Sequence, residues 1–167
     1  MDCVVVTAVM NPILNKEPVK RAEKALKEFD KNLYIEYLEQ TARTANDAAT
    51  ALGCKVGAIV KSLLFKTEKS FVLCLVSGDK KCSLNKLKKI LGEKNVSMAN
   101  ADQVKEITGY TIGGVSPIGH LTKVNILIDN NLARFEDIFA GQCQFSTLLM
   151  TLMEGETKRT SERQMQL

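Results

Sequence analysis

Apolar positions first recur at helical spacing over residues 18–30, where Ala22, Ala25, Leu26 and Phe29 form one stripe and Pro18 occupies the first turn. Leu33 to Leu38 is rich in aromatic and branched side chains and reads as a strand. Thr44-Ala-Asn-Asp47 then has the form of a helix start, Ala45, Ala48, Ala49 and Leu52 follow at helical spacing, and Gly53 stands where a C-terminal cap is expected. Residues 59–66 and 70–77 are nearly continuous apolar runs separated by the polar turn Thr67-Glu68-Lys69. They predict a β hairpin whose sheet is covered on both faces.

Further along, Ser83 caps a predicted helix carrying Leu84, Leu87, Ile90 and Leu91 and stopped by Gly92. Asn100-Ala-Asp-Gln103 opens another short helix with Val104 and Ile107 inward and Gly109 as its cap. Val124 to Asp129 alternates as a strand, residues 132–139 suggest a helical turn or two, and residues 145–152 suggest a last strand. From Glu154 to Leu167 the chain is polar without a sustained period and reads as a loose tail. The expected organisation is an N-terminal extension over residues 1–15, one domain over 16–153 and the tail over 154–167, with Met10 as a second candidate start. Helices and strands interleave without a repeat, so the fold class is α+β around a mixed or mostly antiparallel sheet.

Two features break this pattern. Lys61 sits in a strand on the face of Ile59, Leu63 and Phe65. Its stem either snorkels past them to water, or its ammonium is held at a pocket mouth where it meets a phosphate or another polar substrate group. The second feature is the segment from Gly109 to His120, which holds four of the ten glycines, Pro117 and the single histidine. Such a segment is either an ordered turn or a concave array of backbone N–H donors suited to a carbonyl oxygen or an anion.

Composition narrows the chemistry. The apolar fraction of 45% is enough for a real core in 167 residues. A net charge of +4 is compatible with a polyanionic partner such as RNA, and Lys80, Lys81, Lys86, Lys88, Lys89 and Lys94 form either an RNA-contacting or simply a solvated face. Cys3, Cys54, Cys74, Cys82 and Cys143 show no C-x-x-C spacing and read as free thiols of a reducing compartment. One histidine excludes sites that need two, most zinc hydrolase centres among them, and no metal is expected. Residues 3–10 are too short for a membrane span and lack a basic leader, so a cytoplasmic location is expected.

In order along the chain come Thr44-Ala-x-x-Ala-Ala-x-x-Leu-Gly53, Val60-Lys61-Ser62-Leu63-x-Phe65, Val76-Ser77-Gly78-Asp79, Thr108-Gly109 and Gly113-Gly-Val-Ser-Pro-x-Gly-His120. This succession resembles the YbaK-type aminoacyl-tRNA deacylases, relatives of the editing domain of bacterial prolyl-tRNA synthetases, over about residues 18 to 140. The resemblance implies a single compact domain with a mixed, barrel-like sheet flanked by helices. It implies hydrolysis, in trans, of the ester that joins a wrong amino acid to the 3′ end of tRNA. Aminoacyl-tRNA is the implied partner, an aminoacyl-tRNA synthetase a further possible one, and neither a membrane nor a cofactor is implied.

Carried onto this chain, the resemblance assigns catalysis to Lys61 and to the loop of Gly113, Gly114, Val115 and Ser116, whose backbone amides hold the acyl group. Ser62, Ser77, Gly78, Asp79, Pro117 and His120 are the implied substrate-binding residues. Several such proteins rely on the substrate's own ribose hydroxyl or on a bound water rather than on a side-chain nucleophile. After Gly141 the final apolar helix of the family pattern is not recognisable. Two other readings remain open: a non-catalytic tRNA or aminoacyl-nucleotide binding module of the same fold, and a serine esterase using Ser116 and His120.

Overall fold

The computed structural model describes residues 16–29, 31, 35–37, 42–141, 148–149 and 164–165. The extension at 1–15 and most of the segments at 142–153 and 154–167 lie outside the described residues.

Local chemistry sets the helices. Helix α1, Glu17–Phe29, buries Val19, Ala22 and Leu26 along one stripe. Helix α2, Ala45–Leu52, opens on a complete capping box, in which the Thr44 hydroxyl accepts from Asp47 N and the Asp47 carboxylate accepts from Thr44 N. Helices α3, Leu84–Leu91, and α4, Ala101–Thr108, start on Ser83 and Asn100 side chains, and each of α2, α3 and α4 ends on a left-handed glycine. Caps of this kind typically stabilise a helix by about 1 kcal/mol.

The sheet grows from the hairpin of β2, Ile59–Lys66, and β3, Phe71–Ser77, in which Lys61 faces Val76 and Leu63 faces Cys74. Strand β4, Ser97–Met98, adds antiparallel to the end of β2, and β5, Asn125–Asp129, adds parallel to β3. A 3-10 helix, Asn130–Arg134, leads to β6, Phe139–Ala140, which runs parallel to β2. The short β1, Glu36–Tyr37, pairs antiparallel with β7, Leu148–Leu149, and β8, Gln164–Met165, lies parallel to β5. The sheet is therefore mixed and flanked by helices, as expected, while its main path runs from β4 to β8 without closing into a barrel. No helix among the described residues is long and apolar enough to cross a membrane.

Alternation divides the core by face. Val60, Leu64, Leu73 and Leu75 join Val19, Ala22, Tyr110 and Val115 on one side, while Phe65, Val72, Cys74 and Val76 join Leu87 and Leu127 on the other. The hairpin is thus covered on both sides, which explains its continuous apolar runs. Residues 132–139 depart from the helical expectation. Only the first part forms a 3-10 turn, and Ile138, Phe139 and Ala140 then alternate as a strand, with Ile138 and Ala140 in the Val60 cluster and Phe139 against Ile59. The pairing partner is β2, some eighty residues earlier, so no local pattern announces it. In the stretch read as a loose tail, Gln164–Met165 is placed as an edge strand.

Candidate active site

The structure gathers the predicted site residues into two groups. The first lies where β2 begins and β3 and β5 end. Lys61 projects from the face carrying Leu63, Phe65 and Val76, and its ammonium donates to the carbonyl of Lys80. Burial pulls its pKa below the ordinary lysine value, against the attraction of Asp79 and Asp129. No carboxylate of a described residue forms an ion pair with it.

The turn after β3 supplies the surrounding groups. The buried Ser77 hydroxyl lies 2.6 Å from Gly57 O and 2.7 Å from Asp79 Oδ1, so one proton is shared between two acceptors. Arg134 Nη2 donates to Ser77 Oγ at 3.0 Å and to Asp79 Oδ1 at 2.9 Å. Gly78 is required here because a Cβ would overlap Val56 O and stand 3.0 Å from Ile59 O. The 3-10 turn at Val56–Ala58 crosses the end of β3 at that point, and only a bare backbone fits beneath it. Asp129, 1% exposed, accepts Ser77 N through Oδ2 and caps the following 3-10 helix through Oδ1.

Asp79 carries a consequence for acid stability. Its hydrogen bond from Arg134, and then that from Ser77, lower its pKa to about 2 from 3.8. A carboxyl depressed on folding contributes stability that is present above its unfolded pKa and lost as pH falls through the folded value. Urea unfolding followed from pH 5 to pH 2 should therefore show a loss concentrated between about 4 and 2. Asp47, held low by Thr44, acts in the same direction, so the loss specific to Asp79 is the part that Arg134→Met removes. Equal slopes in the two proteins would refute the assignment.

The second group is the glycine-rich loop. Tyr110, 1% exposed, donates from Oη toward the carbonyls of Ile118 at 2.9 Å and Gly119 at 3.2 Å. Arg21 of α1 stacks 4.9 Å above its ring and donates to Gly119 O at 2.6 Å. Gly113 turns the loop at φ 81°, and Gly114 N donates to Thr111 O at 2.9 Å. The N–H groups of Gly113, Val115 and Ser116 have no acceptor among the described residues, and Val115 and Ser116 are buried. Oriented main-chain donors of this kind suit an oxyanion.

His120 Nε2 lies 2.7 Å from Ser116 O. A carbonyl only accepts, so Nε2 carries the proton. Burial lowers the pKa of the ring and so favours its neutral form, against the hydrogen bond to Ser116. The imidazole meets the carbonyl of Ser116 and not its hydroxyl, which is fully buried and accepts from Ile118 N at 3.3 Å. A nucleophile–base pair is thus not formed here. The loop borders a groove of about 470 Å³, lined by Pro117, Gly119 and His120 with Arg21, Lys123 and the Lys24–Glu28 ion pair.

No hydrogen bond or ion pair of a described residue links Lys61 to residues 113–117. The nearest structural connection is packing, since Val115 belongs to the cluster that contains Val60. Ser62 opposes Leu75, on the face away from Lys61, so the two neighbours do not serve one side. Arg134, Asp129 and Tyr110 were not singled out from the sequence, because each acts on residues eight to more than fifty positions away.

The aminoacyl-tRNA editing domain family matches residues 39–155. The chain belongs to that family. This editing domain is 36% identical over 99 residues to the proline–tRNA ligase of Thermosipho africanus, covering 59% of the chain and 18% of the ligase. It is 32% identical over 129 residues to that of Brachyspira hyodysenteriae, covering 77% of the chain and 22% of the ligase. The editing domain thus spans about a fifth of the length of the curated relatives it matches. It is also similar to a solved structure described as a candidate trans-editing enzyme for prolyl tRNA synthetase. There the TM-score is 0.80 at 32% identity, over 89% of this chain and 94% of that one.

Proposed function

We propose that this editing domain is a hydrolase that removes a wrongly attached amino acid from tRNA, acting in trans on substrate released by a synthetase. The carrying observation is a half-buried ammonium, Lys61, that donates to a backbone carbonyl and has no carboxylate partner among the described residues. A cation so placed retains donors for a polar group of the substrate. The match over 94% of a candidate trans-editing enzyme supports action in trans.

In this reading Lys61 holds a polar group of the 3′-terminal nucleotide, and the amides of Gly113, Val115 and Ser116, in the other layer, receive the negative charge that develops on the carbonyl oxygen. Gly114 does not take part as a donor, because Thr111 O occupies its N–H. Water adds to the ester carbon, the bond to the ribose oxygen breaks, and that oxygen takes a proton. The products are the free amino acid and tRNA with its terminal hydroxyl restored. Ser77, Gly78 and Asp79 shape the Lys61 end, whereas Pro117 and His120 border a groove where Arg21, Lys24 and Lys123 outnumber Glu28, a balance that suits the phosphates of the RNA end. Aminoacyl-tRNA is then the partner, a synthetase its source, and the cytoplasm the place of action.

Such an enzyme is needed because a synthetase pocket discriminates against one missing methylene by only about 1–3 kcal/mol. The test is incubation with a panel of tRNAs carrying alanine, cysteine, serine or threonine on non-cognate acceptors, following loss of the acyl group. Release from at least one of them is expected. Salt-sensitive tRNA binding without turnover on any would overturn the hydrolase in favour of a binding module.

A further inference from the structure

Lys61 keeps its donors free although two carboxylates lie close at hand. Its ammonium bonds the carbonyl of Lys80, the residue that follows Asp79, and Lys80 N closes the turn between them by donating to Ser77 O at 2.9 Å. Asp129, at the end of the neighbouring strand β5, is committed to Ser77 N, Asn131 N and Asn131 Nδ2. Asp79 is held by side chains instead. Arg134 Nη2 donates to its two oxygens at 2.9 and 3.2 Å, and Ser77 Oγ lies 2.7 Å from Oδ1.

The guanidinium is itself fixed in place. Arg134 Nε donates to Asn131 O at 2.7 Å, and the group stacks 4.9 Å from the centre of the Phe135 ring. Gly57 leaves it room, since a Cβ there would stand 3.1 Å from Arg134 Nη2 and 2.6 Å from Phe135 Cζ. The Arg134 and Asp79 side chains are 41% and 36% exposed, and ion pairs at such positions add little stability. What this pair decides is where the Asp79 charge points.

We propose that Arg134 is a positioning residue that holds the Asp79 carboxylate away from Lys61 and so keeps the ammonium available to substrate. Without the guanidinium, the cation beside Asp79 is the ammonium bonded to the very next residue. A Lys61–Asp79 pair would then compete with substrate, and the apparent affinity would fall by the fraction of molecules in which the pair is closed. Asp129, Lys81 and Cys82 are the other titratable groups that act on the ammonium, and none of them changes when Arg134 is replaced. The consequence for deacylation rests on the function proposed above, but the placement of the charges does not.

The test follows acetic anhydride labelling of Lys61 at pH 8 by mass spectrometry in the full chain. In Arg134→Met labelling should be slower by about three- to tenfold, because an opposite charge brought beside an ammonium keeps it protonated. Adding Asp79→Asn to that variant should restore the labelling rate. Steady-state deacylation should show the same pattern, with KM raised about three- to fivefold in Arg134→Met, kcat nearly unchanged, and KM recovered in the double variant. Arg134→Lys, which keeps a cation on Asp79, should stay within about twofold of the unaltered protein in both readouts. A bridge that serves stability alone, or an Arg134 that binds RNA itself, predicts no recovery, because the double variant lacks the bridge and the guanidinium alike. Unchanged labelling in Arg134→Met, or a defect that persists in the double variant, would overturn the proposal. Labelling is read without turnover, so an unaltered protein that deacylates nothing counts against the proposed function alone.

Discussion

Replacing Lys61 with methionine should lower single-turnover deacylation by on the order of 10²–10³, the usual cost of removing one preorganised electrostatic donor. Methionine retains the length of the stem that runs beside Leu63 and Phe65, so the packing of that face is kept while the charge is lost. Urea unfolding should therefore show little change in stability, and a folded, inactive variant separates chemistry from structure. Arginine should not rescue the rate, since its planar fork cannot occupy the place of a compact ammonium held against the Lys80 carbonyl. Full activity in Lys61→Met would remove the central element of the proposed mechanism.

Asp129→Ala should destabilise the protein by about 2–4 kcal/mol. The carboxylate is 1% exposed and accepts three hydrogen bonds, from Ser77 N at 3.2 Å, Asn131 N at 2.9 Å and Asn131 Nδ2 at 2.7 Å. Alanine strands the buried Ser77 amide at a cost of about 1–3 kcal/mol. It also removes the cap of the 3-10 helix, worth about 1 kcal/mol more. With a urea dependence of about 1–3 kcal/mol per M, the midpoint should fall by roughly 1–2 M. Asp129→Asn keeps the shape and one acceptor oxygen and should lose less. A loss below about 0.5 kcal/mol in the alanine variant would mean that neighbouring groups or water re-satisfy these donors.

The most legible parts of the fold are those whose causes lie within four residues. Thr44 with Asp47, and Asn100 with Gln103, both form complete capping boxes, and Gly53, Gly92 and Gly109 all adopt the left-handed conformation read from their positions. The hairpin of β2 and β3 also follows from its two apolar runs and the polar turn between them. The two-residue strands β4 and β6 were not legible. Their partner is β2, and short segments become strands only when a distant edge offers hydrogen bonds.

Within the site, Lys61 was conspicuous as a charge in an apolar strand, and the loop as a concentration of glycine. The work of individual loop atoms was not readable. Composition does not reveal that the Gly114 amide is used within the loop, that Tyr110 secures it through two carbonyls, or that His120 turns to a backbone oxygen. Nor does it reveal Arg134, which reaches back fifty-five positions to Asp79.

By itself, then, the sequence determined the helix limits, the central hairpin, the family pattern and the two segments proposed to carry the chemistry, because periodicity and capping act over a single turn or a single strand. The tertiary structure alone decided the order of the strands, the face from which each candidate side chain projects, and which donors are already committed. Those depend on contacts between residues far apart in the chain, made only when both layers of the core pack against the sheet.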